Sequence, residues 1–315
     1  MIGFPHMAED SRQAAEAPRP EPFTWRLPNA PVDAEDDWVL YDQFIDLAEA
    51  HRWKMSDVRR EIEGVDPATL TEADHKIVDC IGEIAIVAGN APTIVVNQLS
   101  VMLFDAEFAA WATYQVGEES KHFHVVRHYC RHVGHAMSAE HTEANVVRKQ
   151  KDFDPDEYHD EHWVTLVNLL GETLNIHLYQ QLSKAADEPV LKELLHRISL
   201  DERRHQQWFV AYFKKRAQAE DAYVGRALAA LRVMLGIDEP PDRNAQRHQG
   251  TGSVNYLQAT EKVLRHGFSV PIIARTVREQ WQILESIFGD RLDIDKREFI
   301  SRQTASASMV ERQLG

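Results

Sequence analysis

With 315 residues the chain is long enough for a sizeable core, and 43% hydrophobic with 27% charged residues is the balance of a globular protein rather than a disordered or fibrous one. A net charge of −15 argues against a nucleic-acid ligand, whose phosphates demand basic partners. No run of about 18 apolar residues is present to span a membrane, and two cysteines, Cys80 and Cys130, are too few for a disulfide framework, so a reducing cytoplasm is the expected compartment.

Residues 1–34 are rich in Pro, Ala, Glu and Arg with little periodicity, and read as a flexible leader. They hold no basic stretch followed by an apolar one, so no signal peptide is expected. From residue 36 to about 215 apolar residues recur three and four apart and Gly and Pro are sparse, the pattern of amphipathic helices. The spacing predicts a helix over about 71–104, disturbed midway by Gly89, Asn90 and Pro92. A second runs over about 106–133 and stops at Gly134. A third covers about 157–186, after a loop around 152–156, and a fourth about 189–217. Four long helices suit a four-helix bundle. Residues 236–252, rich in Pro, Asp, Asn and Gly, read as a loop. Helical patterns resume over 254–266 and 271–288. The expected organisation is one helical domain over 35–310, with a bundle core at about 70–217 and a helical C-terminal extension at about 218–310.

On a helix, residues i and i+3 share a face. Glu119 with His122, and Glu202 with His205, are two such pairs, each able to offer a carboxylate and an imidazole to one metal ion. Two Glu-x-x-His pairs, plus one Glu from each of two further helices, make the di-iron carboxylate site of helical bundles. The two further acids are expected at Glu172, in Leu169-Leu170-Gly171-Glu172-Thr173-Leu174, and at Glu83, the one acid between Asp79 and Asp105. Both stand on apolar stretches, where an unpartnered carboxylate is costly. Carboxylate and imidazole ligands without thiolates suit iron or manganese. A metal-bound His donates its other N–H to a carboxylate or carbonyl. Asp201 is placed to reach His122, and Glu118 to reach His205.

Other features carry plainer readings. His124, His128, His132 and His135 lie off the His122 face or at the helix end and are expected at the surface. Trp111, Tyr114, Phe123 and Tyr129 are expected as core packing. The basic stretches 127–132, 148–151 and 203–215 are expected as solvated helix faces.

The segments Glu118-Glu119-Ser120-Lys121-His122 and Asp201-Glu202-Arg203-Arg204-His205 resemble the Glu-Glu-Asn-Arg-His and Asp-Glu-Lys-Arg-His motifs of the soluble acyl-carrier-protein desaturases. The run from Ala185 to Leu191 and the Gly267-Phe268 turn are similar to that family as well, and the likeness spans about 36–290. It implies an all-α, ferritin-like four-helix bundle with a di-iron site and a helical C-terminal extension. The iron ligands would be Glu83, Glu119, His122, Glu172, Glu202 and His205. The implied reaction is O2-dependent removal of two hydrogens from an acyl chain carried on acyl carrier protein, with a ferredoxin-type electron donor and a homodimeric assembly. The cofactor would be two iron ions, or an iron–manganese pair. The resemblance places Asn175 and Thr173 beside the oxygen site, but Asn175 stands where the family has Thr. A di-iron hydroxylase or N-oxygenase acting on a small biosynthetic intermediate is therefore the alternative. Ile198 replaces the additional His of aminoarene N-oxygenases, and Val126 replaces the Tyr of ribonucleotide reductase radical subunits, so neither of those is favoured.

Overall fold

The computed structural model describes residues 38–89, 91–102, 104–135, 160–238, 263 and 265–304, all within one unit, Pro31–Gly315. The leader, most of the 236–252 loop and most of 254–266 lie outside the described residues. Among the described residues there is no strand, and no helix is long and apolar enough to cross a membrane.

Two short helices, α1 (Val39–Ala50) and α2 (Met55–Glu63), come first. The stretch expected as one long helix is two, α3 (Glu72–Ala88) and α4 (Ala91–Met102). Pro92 explains the break: it lacks an N–H, and its ring would collide with the carbonyl four residues earlier, so α3 ends and Pro92 sits in the first turn of a new helix. Helix α5 (Ala106–His132) follows, then α6 (Glu161–Ala185), α7 (Pro189–Ala219), α8 (Asp221–Met234) and α9 (Ser269–Phe288). Helix α6 begins later than its apolar pattern suggested, because Asp160 caps it: the Asp160 carboxylate accepts from the Trp163 N–H at 2.8 Å.

Helices α6 and α7 form a hairpin joined by three residues and make the most extensive helix pairing among the described residues. Helices α3 and α5 pack on each other and against this hairpin, giving the four-helix core, with α1, α2 and α4 around α5 and with α8 and α9 against α6 and α7. The connections double as cross-links. Glu188 caps α7, accepting from the N–H groups of Val190 and Leu191 at 3.0 and 2.6 Å, and also accepts from the Tyr129 hydroxyl of α5 at 2.9 Å. Asp74 of α3 accepts from the Asp187 and Glu188 N–H groups at 2.9 and 3.1 Å. Asp105 caps α5 through the Phe108 N–H and takes the Tyr212 hydroxyl of α7 at 2.7 Å. Two caps, Glu188 and Asp105, together with Asp74 thereby tie the long helices to one another at both ends of the bundle.

One end of the core is aromatic. Trp111 and Trp208 stack at 3.9 Å between centroids and 4° between planes, with Tyr212 stacked on Trp208 at 4.9 Å and Phe108 edge-on to all three. All four rings are buried, and such offset and edge contacts add roughly 0.5–1.5 kcal/mol per pair beyond area burial. The other end is aliphatic, built from Ile77, Ile81, Val125, Val126, Leu178, Leu182 and Leu194.

Helix α5 ends at Gly134, whose φ of 75° lies in the left-handed region. The Gly134 N–H donates to the Arg131 carbonyl at 3.2 Å and the His135 N–H to the Cys130 carbonyl at 2.8 Å, the paired bonds of a Schellman motif. A Cβ at Gly134 would meet nothing within 4 Å, so a substitution there strains the backbone alone. Gly134→Ala is expected to lower unfolding stability by roughly 1–2 kcal/mol, read as a lower midpoint in urea at unchanged slope. An unshifted midpoint would show that the chain does not need this turn.

Candidate metal centre

Helices α5, α6 and α7 bring the predicted pairs together. Glu119 and His122 project from one face of α5, Glu202 and His205 from the facing side of α7, and Glu172 from α6 between them. Ligand-type atoms of Glu119, Glu172, Glu202 and His205 lie within 4.8 Å of one another. His122 borders the same group. Its Nδ1 is 3.7 Å from Glu119 Oε2 and 3.6 Å from Glu202 Oε1. On the other side, His205 Nδ1 is 3.3 Å from Glu119 Oε1, 3.5 Å from Glu202 Oε2 and 3.8 Å from Glu172 Oε1. Glu119 and Glu202 therefore each offer one oxygen to one imidazole and the second oxygen to the other. Glu83, half-buried on α3, stands outside the group of four.

The far side of each ring is held. His122 Nε2 is 2.9 Å from Asp201 Oδ2, and His205 Nε2 is 3.0 Å from Glu118 Oε2. Asp201 and Glu118 are held ionised. Burial opposes this for both, but His122 and Arg204 outweigh it at Asp201, as His205 and Arg204 do at Glu118. A carboxylate can only accept, so in both rings the Nε2 carries the hydrogen and the Nδ1 faces the cluster. The Trp53 indole donates to the same Asp201 oxygen at 2.9 Å, and its ring stacks on His122. Arg204 bridges Asp201 and Glu118, reaching Glu118 Oε1 at 2.8 Å, and Lys121 Nζ lies 3.3 Å from Asp201 and 3.9 Å from the centre of the Trp53 ring. Gln115 of α5 donates to Glu172 Oε1 on α6 at 2.7 Å, and the Asn175 amide lies 3.5 Å from the other Glu172 oxygen. The Thr173 hydroxyl is turned elsewhere, donating to the Leu169 carbonyl and accepting from Gln206 at 2.8 Å. Gln206 also donates to Glu279 of α9, which meets His177 at 2.8 Å and pairs with Arg203.

Charge decides what this arrangement can hold. Five carboxylates, Glu118, Glu119, Glu172, Asp201 and Glu202, face two permanent cations, Lys121 and Arg204. Excess buried charge of one sign costs several kcal/mol per ion unless it is compensated. Without a metal, protons provide the compensation. Burial pushes His122 down, but Asp201, Glu119 and Glu202 outweigh it and raise it to about 9. His205 is likewise raised well above the ordinary imidazole value, against burial, by Glu118, Glu119 and Glu202. Burial and the neighbouring Glu202 charge raise Glu172 well above the usual carboxylate range. Glu119, against burial, is held down to about 2 by the two histidines. With both imidazoles charged and Glu172 neutral, four carboxylates balance four cations. Yet His122 Nδ1, His205 Nδ1 and Glu202 Oε2 remain buried without a well-formed hydrogen bond. Unpartnered ring nitrogens aimed at a carboxylate cluster, with the opposite nitrogens anchored, are what a pair of metal ions needs.

One sequence expectation changes here, and three anchoring residues are added. The stretch 203–215 is not simply a solvated face, because Arg204 is buried inside the site. The anchors Trp53 and Gln115 carried no motif of their own, and Lys121, inside the 118–122 segment, had no role assigned to it. Gln115 could have been found one turn before Glu119 on the same face, whereas Trp53 reaches Asp201 across 148 positions with no local signal.

Residues 166–232 match the family model described as rubrerythrin, and none of the curated proteins matches the chain. The matched stretch covers most of α6, α7 and α8 and carries Glu172, Glu202 and His205. The match and the carboxylate–histidine cluster together point to a di-iron protein, and the helical architecture is that of an all-α, ferritin-like bundle.

Proposed function

We propose that this protein is a non-haem di-iron oxidase that uses O2, and that Glu119 and Glu202, set between the two imidazoles, would each help to hold both metal ions. The observation that carries the reading is the double reach of those two carboxylates, each presenting one oxygen to each Nδ1. His205 and Glu172 would hold one ion, and His122 and Glu83 the other. Charge supports Glu83 as the sixth ligand. Replacing three protons by two divalent ions adds one positive charge, and the half-exposed Glu83 on the neighbouring helix can neutralise it. Two irons held here would supply reductive activation of O2 and oxidation of an unactivated C–H bond.

The chain's own residues do the rest. Asp201 and Glu118 fix the tautomer and tilt of the two rings. Arg204 and Lys121 keep those carboxylates ionised without lending a donor to the metal side. Gln115 orients Glu172 through one oxygen. Trp111 and Phe44 pack against His205, and Trp53 against His122, keeping bulk water from the rings.

The substrate we favour is an acyl chain carried on acyl carrier protein, desaturated with electrons from a ferredoxin-type donor, in a cytoplasmic homodimer. The support is the pair of segments 118–122 and 201–205, whose first residues, Glu118 and Asp201, are the two that anchor the histidines. Asn175 favours a second reading, hydroxylation or N-oxygenation of a small molecule, because an amide rather than a hydroxyl lies beside Glu172.

Anaerobic loading with Fe(II) followed by O2 tests the core of the proposal. The expected result is about two irons per chain and an O2-dependent optical change. Glu119→Ala is expected to reduce the stoichiometry to about one or less and to abolish the O2 response. Two irons retained by that variant would overturn the bridging assignment.

Protonation gives a separate check. The metal-free site carries protons at His122, His205 and Glu172 below their raised pKa values, and the metal requires all three to leave. Loading below pH 9 is therefore expected to release protons, and apparent affinity to climb with pH as His122 is titrated near 9. Indicator titration in weak buffer measures this. Loading with no proton release would contradict the ligand set.

A further inference from the structure

Across α5 from the metal centre lies a second concentration of charge, of the opposite sign. His124, Arg127, His128, Arg131 and His132 follow the spacing i, i+3, i+4, i+7, i+8 and make one stripe. At about 100° per residue this stripe is centred roughly 180° from Glu119 and His122. Arg59 of α2 faces it. These six residues line a cleft of about 520 Å³.

The arginines here gather around one hollow. Several others sit in ion pairs, Arg197 with Glu61, Arg204 with Glu118, Arg216 with Glu161, Arg232 with Asp238 and Arg302 with Glu298. Arg59, Arg127 and Arg131 make no ion pair among the described residues. The acid nearest the stripe is the exposed Glu63, 3.8 Å from His128. His128 Nε2 is buried without a hydrogen-bond partner, while His132 Nε2 is bound to the Val65 carbonyl at 2.8 Å. Arg131 and His132 in the last turn suit the negative end of the helix. That does not explain Arg127, His124 or Arg59. The local field is positive enough to be felt by the imidazoles: after burial, Arg127 and Arg59 are what lower the basicity of His124. In a chain of net charge −15, three guanidiniums around one hollow have no ion-pair partner among the described residues.

We propose that this cleft binds a phosphorylated small molecule through its phosphate or diphosphate group, held by Arg59, Arg127 and Arg131 with His128 as a further donor. The donor set decides the class. Three guanidinium forks offer more N–H groups, and more charge, than one carboxylate can use, and suit the several oxygens of a phosphate or diphosphate. All six lining residues are Arg or His, so none of them offers an apolar wall for an acyl chain. The cleft does not suit a metal either: three guanidiniums repel cations, and among the described residues the one group of converging ligand atoms is at the centre already described.

Calorimetric titration of the full chain with inorganic phosphate, pyrophosphate and a nucleoside diphosphate tests the proposal, with metal content measured on the same samples. Saturable one-to-one binding of pyrophosphate is expected, weakened at least about tenfold by Arg127→Gln and by Arg131→Gln with metal content unchanged. Equal affinity for pyrophosphate and the nucleoside diphosphate would identify the diphosphate as the group recognised. Tighter binding of the nucleotide would show that the cleft also reads its organic part, and either supports the site. Binding is also expected to survive Glu119→Ala. Its loss there would place the anion at the metal centre and overturn the proposal. So would a failure of all three anions to saturate, or binding indifferent to the arginine variants, which would leave the stripe a solvated cationic face.

Discussion

The interaction on which the rest of this structure depends is the buried contact between α5 and α7, where Asp201 and Glu118 grip Arg204 and two histidines from opposite helices. Breaking one partner of such a network typically costs about 3–5 kcal/mol, because the remaining charges stay buried without compensation. The network therefore constrains which faces of α5 and α7 can meet, and hence where Glu119, Glu202 and both Nδ1 atoms point. The surrounding caps serve the same end. Asp105 and Glu188 each terminate a helix and hold a tyrosine of another helix with the same carboxylate, which limits sliding along the bundle axis.

The order of residues within each motif follows from helical geometry. On α7, Asp201 and Arg204 are three apart, as are Glu202 and His205, so two adjacent stripes run down the helix. One stripe faces the carboxylate–histidine cluster and the other secures the neighbouring imidazole. On α5, Glu118 with Lys121 and Glu119 with His122 repeat the arrangement. Each helix thus supplies one histidine to the cluster and the carboxylate that anchors the other helix's histidine. This reciprocity makes the site a property of the pair of helices rather than of either one.

Much of this was legible in the sequence because the information is local. Periodicity located α5 and α7 nearly to the residue, and Pro92 marked the interruption between α3 and α4. The i, i+3 spacing put each Glu beside its His. What was not legible is long-range. Trp53 and Glu279 meet the site from distant parts of the chain, and nothing in their immediate sequence says so. Arg204 was concealed for a different reason: a run of basic residues resembles a solvated face, and only the opposed Glu118 and Asp201 make its burial tolerable. Arg59, Arg127 and Arg131, without an ion pair among the described residues, show the converse, since pairing is a fact of three dimensions and composition does not reveal it.

The central claim is that two metal ions lie between His122 and His205 and share Glu119 and Glu202. Anomalous diffraction at the iron edge from crystals of the iron-loaded chain tests it most directly. The account predicts two peaks, one against each Nδ1, both in contact with Glu119 and Glu202. A single peak, or peaks away from these two nitrogens, would contradict it.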